Sequence, residues 1–150
     1  MRLFGSAKRE IGILADSAQP IAGYPRVLGV LAEKTVSGVS LRICMIDRRV
    51  PDADRSAVAQ ADRTAPAGDA RKALGGLAAL SELDGVEVRV HRGVTYHAIY
   101  YADDDVLVAQ GVHGFSAGQA PVLYLRSAGE GGMAAAYRGV FARFWSWGTE

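Results

Sequence analysis

The side chains best suited to chemistry cluster late in the chain, where His91, His97 and His113 all fall within one stretch. Imidazole titrates near neutral pH, so each could serve as nucleophile, general base or metal ligand. A zinc site needs three or four ligands converging on one point. These three histidines would come from three different strands with no ligand spacing between them, so no metal is expected. The run Asp103-Asp104-Asp105 offers carboxylates to a hard cation, but adjacent carboxylates on a hairpin turn are ordinarily solvated. There is no Gly-Lys-Ser or Gly-Lys-Thr phosphate loop, and Gly75-Gly76 sits inside a helical pattern. Ser116 does not lie in a nucleophile-elbow pentapeptide. Cys44 is the single cysteine, which excludes a disulfide framework and a multi-cysteine zinc site. Ammonium groups are scarce as well: Lys8, Lys34 and Lys72 are the only lysines, and the chain has no asparagine. No cofactor is expected.

The elements that must hold these groups follow from periodicity. Ile11 to Ala15 is an apolar run too short for a helix and reads as a buried strand. Pro25 suits a first helical turn, and Val27, Leu28, Leu31 and Ala32 recur at helical spacing up to a stop before Gly38. Val39 to Ile46 is a second buried strand with Asp47 at its carboxyl end. Strand, helix and strand in this order form a βαβ unit with parallel strands. Asp47 to Asp69 is polar and reads as loop, with a short helix around Ala53 to Ala61. Ala70 to Leu83 is a second helix. Val86, Val88 and Val90 alternate with Glu87, Arg89 and His91 as a one-sided strand. Thr95 to Tyr101 and Val106 to Gln110 are two strands of a tight hairpin. Pro121 to Leu125 is the last strand, and Met133 to Trp147 closes the chain as an amphipathic helix.

This predicts an α/β fold: one layer sandwich with a mixed, largely parallel β-sheet flanked by helices. With 150 residues the chain has the size of one ordinary domain. Hydrophobic residues at 49% and charged residues at 22% argue against disorder. Seventeen basic against sixteen acidic residues give a formal charge of +1, which excludes a generally basic nucleic-acid coat. No apolar stretch is long enough to span a bilayer, and the N-terminus lacks a signal-like apolar core, so a cytoplasmic location without membrane association is expected.

The spacing that starts at His97 is the most informative. His97-Ala98-Ile99, four residues, Asp104, six residues, and then Gly111-Val112-His113-Gly114-Phe115-Ser116 resembles the phospholipase D superfamily motif. That motif reads His-x-Lys, four residues, Asp, six residues, Gly-Ser-x-Asn-x-Ser or Thr. Histidine, aspartate, glycine and the last serine are retained, whereas Ile99, Val112 and Gly114 replace the lysine, first serine and asparagine. The stretches Ala7 to Ile11, Gly38 to Ile43 and Gly85 to Arg89 also look like strands of that superfamily. A closer resemblance is to an uncharacterised bacterial family, usually the C-terminal half of regulators that begin with a Cro/C1-type helix-turn-helix. It is carried by Arg42 to Asp47, Gly85 to His91, Tyr96 to Leu107, His113-Gly114, Pro121 to Arg126 and Phe141 to Trp145. The DNA-binding half of such regulators is not matched, and residues 1–150 are expected to form only the phospholipase D-like domain.

In active members of the superfamily, histidine attacks a phosphodiester while lysine steadies charge on the non-bridging oxygens. Residues 97 and 99 share a strand face, so Ile99 would put a branched alkyl group where that cation is needed. Losing a charge-stabilising donor costs on the order of 3–4 kcal/mol. The resemblance therefore implies a catalytically degenerate sensing or regulatory domain that binds a small anionic molecule, with DNA reached through a fused or separate partner. Because single-motif members pair across a two-fold axis, it also implies a homodimer. The expected ligand-binding residues are Asp47, Arg89, His91, Tyr96, His97, His113 and Ser116, around a concave site at the sheet edge. The alternative is a homodimeric phosphodiesterase or nuclease, with His97 and Asp104 as its catalytic residues. Arg42, Arg89 and Arg126 are the strand-borne cations that could then replace the lysine.

Overall fold

The computed structural model describes residues 2–16, 21, 24–46, 75–91, 95, 97–110, 121–127 and 131–149. A one-turn helix α1 (Arg2–Gly5) leads into strand β1 (Glu10–Ala15), helix α2 (Pro25–Val36) and strand β2 (Ser40–Ile46). Residues 75–81 are helical. Strands β3 (Val86–His91), β4 (His97–Ala102), β5 (Asp105–Gln110) and β6 (Val122–Leu125) follow, and helix α3 (Met133–Trp147) comes last. The expected short helix in the Asp47 to Asp69 segment and the start of the helix from Ala70 lie outside the described residues.

Local chemistry sets several of these boundaries. Pro25 occupies the first turn of α2, where its missing N–H costs nothing. The helix ends in a Schellman motif: the Gly38 N–H donates to the Thr35 carbonyl and the Val39 N–H to the Lys34 carbonyl. Gly38 takes φ +90°, which a side chain would resist. At the β4–β5 hairpin the two-residue turn is Asp103-Asp104, and Asp103 takes the left-handed φ of +53° that aspartate tolerates better than most residues.

The six strands are ordered β3-β2-β1-β4-β5-β6. β1–β2 pair parallel, as the βαβ reading requires, and β2–β3 are parallel as well. β1–β4, β4–β5 and β5–β6 pair antiparallel, so the sheet is mixed and its second half is a meander rather than a continuation of the parallel half. Strict alternation sorts the side chains between two cores. Ile11, Ile13, Leu41, Ile43 and Ala102 pack with Leu3, Phe4, Leu31 and Leu80 on the α1/α2 face. Leu14, Cys44, Ile99, Tyr101, Val106 and Val108 pack beneath Ala134 and Phe141 of α3 on the other. Among the described residues no helix is long and apolar enough to cross a membrane.

Candidate functional site

Register shows which polar side chains share a neighbourhood. On the α3 face, His91 pairs across to Ile46 at the carboxyl ends of β3 and β2, while His97 starts β4 opposite Gln110. Ala15 pairs with Met45 and Leu14 with Ile99, so extending the register sets Asp16 at the level of both Ile46 and His97. His91 and His97 therefore lie on one rim, where the parallel strands end, but three strand spacings apart. At ~4.8 Å per spacing they are about 14 Å from each other and cannot act on one atom. Asp47, Tyr96, His113 and Ser116 lie outside the described residues.

His97 is half-buried. Its backbone is fixed by Thr95, whose hydroxyl donates to the His97 carbonyl at 2.7 Å and accepts from the His97 N–H at 3.3 Å. The ring meets Tyr137 of α3 edge-on at 6.1 Å, and its buried Nδ1 has no partner among the described residues. Ile99 is on the same face, as expected, and is 0% exposed beneath α3. The position that holds a cation in the motif is thus part of an apolar core. His91 is 1% exposed, packs edge-on against Phe144 at 4.6 Å and leaves both ring nitrogens without a partner among the described residues. Burial lowers its pKa below the ordinary imidazole value, because the charged form would lose its hydration.

His97 and Asp104, the two catalytic residues of the alternative reading, do not adjoin one another within the chain. Asp104 is in the turn at the other end of the β4–β5 hairpin. Five residues of extended strand separate His97 from Ala102, about 17 Å at ~3.3 Å per residue. Asp104 instead accepts from Arg9 of the lead-in and Arg138 of α3, both at 2.9 Å. Arg138 also pairs with Glu10. The neighbouring Asp103 accepts from the backbone N–H groups of Lys8, Arg9 and Glu10 at 2.8–3.0 Å. Desolvation pushes the Asp103 carboxyl up, but these three donors and Arg9 outweigh it and hold its pKa below the ordinary value. This turn ties the lead-in, the hairpin and α3 together.

Arg89 likewise belongs to a different cluster from the rim histidines. Its Nη1 donates to the Trp145 carbonyl at 3.1 Å near the end of α3, where a cation also meets the negative end of the helix dipole. Its guanidinium carbon lies 4.4 Å from the centre of the Trp145 indole. Arg42, on β2 opposite Glu87, approaches the same ring at 5.9 Å. Neither Arg42 nor Arg89 reaches the row of His97 by register. Cys44, opposite Arg89, is buried, and burial pushes its thiol up to about 11 despite the nearby guanidinium. Among the described residues no cluster of three or more histidine, cysteine or acidic side chains could hold a metal ion.

Sequence reasoning passed over Asp16, on the rim beside His97, and the grouping of Arg42, Glu87 and Trp145. A local signal for the latter existed. Gly38-Val39-Ser40-Leu41-Arg42 and Gly85-Val86-Glu87-Val88-Arg89 share one pattern. It sets an arginine on the same face of neighbouring strands.

The architecture is that of an α/β phospholipase D-like fold, and the comparisons with solved structures agree. Nuc from Salmonella typhimurium, a phospholipase D family member, matches 99% of this chain and 85% of its own, with a TM-score of 0.61 at 14% identity. TrmBL2, an archaeal chromatin protein whose structure shows a novel mode of DNA binding, matches 98% of this chain with a TM-score of 0.62 at 12% identity. The chain spans 47% of the length of TrmBL2. At these identities the likeness is one of fold. Neither a protein-family model nor a curated protein matches the sequence.

Proposed function

We propose that this chain is a catalytically degenerate phospholipase D-like domain, cytoplasmic and homodimeric, that binds a small anionic molecule and takes part in transcriptional regulation without cleaving phosphodiesters. The observation that carries the reading is Ile99, sealed in the core beneath α3 on the same face as His97. Among the described residues a phosphoryl group brought to His97 would meet no lysine, and register sets Arg89 one row and Arg42 two rows further down the sheet. The lost charge stabilisation is on the order of 3–4 kcal/mol, two to three orders of magnitude in rate. The regulatory part of the reading draws on the resemblance to the C-terminal halves of helix-turn-helix regulators. The likeness to a DNA-binding chromatin protein adds support, with DNA contact assigned to a fused or separate partner.

The test is turnover of a chromogenic phosphodiester by the purified protein beside its His97→Ala variant, followed by thermal unfolding against nucleotides and sugar phosphates. The expected result is no turnover in either protein and stabilisation by at least one anion. Turnover that disappears in His97→Ala would instead favour the alternative, a phosphodiesterase acting through His97, a reading supported by the unpartnered Nδ1 of His97. Absence of both turnover and stabilisation would refute the ligand-binding proposal.

A further inference from the structure

The described residues leave five buried side-chain nitrogens without a hydrogen-bond partner: both of His91, Nδ1 of His97, and the Nε atoms of Arg42 and Arg89. The two arginine nitrogens belong to adjacent strands and to side chains that converge on one indole. A guanidinium with an unused donor is unfavourable unless an acceptor completes it. Both Nε atoms are closed off from solvent, so a ligand meets the outer guanidinium nitrogens first and reaches Nε only when the Arg42 side chain turns. The acceptor at hand is Glu87, which stands 4.0 Å from Arg42 Nε and 3.9 Å from Arg89 Nη2. Those are charge contacts, too long for hydrogen bonds. Glu87 is 53% exposed and Arg42 41%, so both can turn toward a ligand, whereas Arg89 at 26% is braced against the end of α3.

From this geometry we infer that Arg42 and Arg89, framed by Trp145, form a binding site for a phosphate group. The site is on the α3 face of β2 and β3, away from the rim that carries His97. The inference rests on the reading of the chain as an anion-binding domain and gives that anion a location. Two guanidiniums and one loosely held carboxylate leave an excess of positive charge, and the guanidinium fork matches phosphate oxygens with paired N–H donors. The Trp145 ring is already engaged by Arg89 and by stacking on Phe141 at 5.9 Å and 16°. A ligand therefore meets guanidinium edges rather than an open aromatic face, which favours a compact phosphoryl group over a stacked base. Glu87 competes for the same donors, so the bound phosphate displaces it.

Inorganic phosphate, titrated at ionic strength held constant with sodium chloride, is the direct probe, read by tryptophan fluorescence and thermal unfolding. A saturable response is expected in the wild type. Arg42→Gln weakens it about tenfold or more, as the loss of a charge-assisted hydrogen bond requires. Arg42→Lys restores only part of it, and Glu87→Gln tightens it. Arg26→Gln, on α2 across the sheet, leaves it unchanged. Because Arg89 braces α3, Arg42 is the variant that tests binding without loosening the fold. An equal phosphate response in wild type and Arg42→Gln, or an equal response to chloride alone, overturns the site. If nucleotides or sugar phosphates stabilise wild type and Arg42→Gln alike, this site falls while the anion-binding reading stands. If no anion, phosphate included, stabilises the wild type, both fall.

Discussion

A methyl group at position 12 should be among the most damaging small changes this protein can suffer. Gly12 lies in β1 with strands on both sides, directly opposite Tyr101 of β4. The Tyr101 ring folds across the glycine, so that a Cβ built there would overlap the ring carbons Cε1, Cζ and Cδ1. Tyr101 cannot shift cheaply. It is buried, meets Phe141 edge-on at 5.0 Å, has the Arg138 guanidinium 5.2 Å from its ring centre and donates a 3.4 Å hydrogen bond to Glu10. Admitting alanine swings the ring out of this place and forfeits roughly 1.5–3 kcal/mol of side-chain burial. The aromatic pair adds about 0.5–1.5 kcal/mol to the loss. Alanine recovers about 0.5–1 kcal/mol because it has less backbone freedom to lose than glycine. The net expectation for Gly12→Ala is a loss of about 1–4 kcal/mol, centred on about 2.5 kcal/mol, seen at that centre as a drop of roughly 1–2 M in urea midpoint followed by tryptophan fluorescence. Tyr101→Ala alone should cost about 3–5 kcal/mol. In that background Gly12→Ala should be neutral or stabilising, giving a coupling of about 3 kcal/mol between the two sites. Additivity within about 0.5 kcal/mol would refute the reasoning. So would a Gly12→Ala loss below about 1 kcal/mol.

Three further perturbations probe the candidate site and its frame. Restoring the motif lysine with Ile99→Lys should not create a phosphodiesterase. It buries an amine in the core beneath α3 at a cost of about 3 kcal/mol or more, and a stable variant that turns over a chromogenic phosphodiester would contradict the packing argument. His91 has its folded pKa below the unfolded value of 6.5. Below that value the unfolded chain takes up a proton that the native state resists, so stability is full above it and is lost as pH falls through the folded pKa. Comparing urea midpoints of wild type and His91→Phe at about pH 7.5 and 5.5 should show this acid loss only in the wild type; parallel curves would count against it. Asp103→Ala should cost about 1–2 kcal/mol by leaving three backbone N–H groups without their acceptor. Because the Asp103 pKa is held below 3.8, the gap between wild type and variant should persist well above that pH and close as pH falls through the folded value. A gap independent of pH would mean that the charge is not what holds the turn.

Much of the fold is legible in local sequence because its signals act over a few residues. Pro25 and Gly38 bound α2 through a fixed φ and a positive φ, and the alternation of valines with polar residues from Val86 marks β3. The shared face of His97 and Ile99 follows from the two-residue period of a strand. With the motif spacing, these sufficed to read an α/β, phospholipase D-like fold with a final helix over Met133 to Trp147. Sequence alone could not decide which strands become neighbours, because pairing is a long-range choice. Placing β4 antiparallel beside β1 puts His97 at the level of the β3 terminus yet with two strands between them. The same pairing sends Asp104 to the opposite end of the strands, where Arg9 and Arg138 hold it. The spacing from His97 to Asp104 carries the motif likeness, and an extended strand of that length sets the two at opposite ends of the hairpin. Arg42 and Arg89 show the reverse case. They are far apart in the chain, and parallel pairing of β2 with β3, with α3 laid across them, brings their guanidiniums to the same indole.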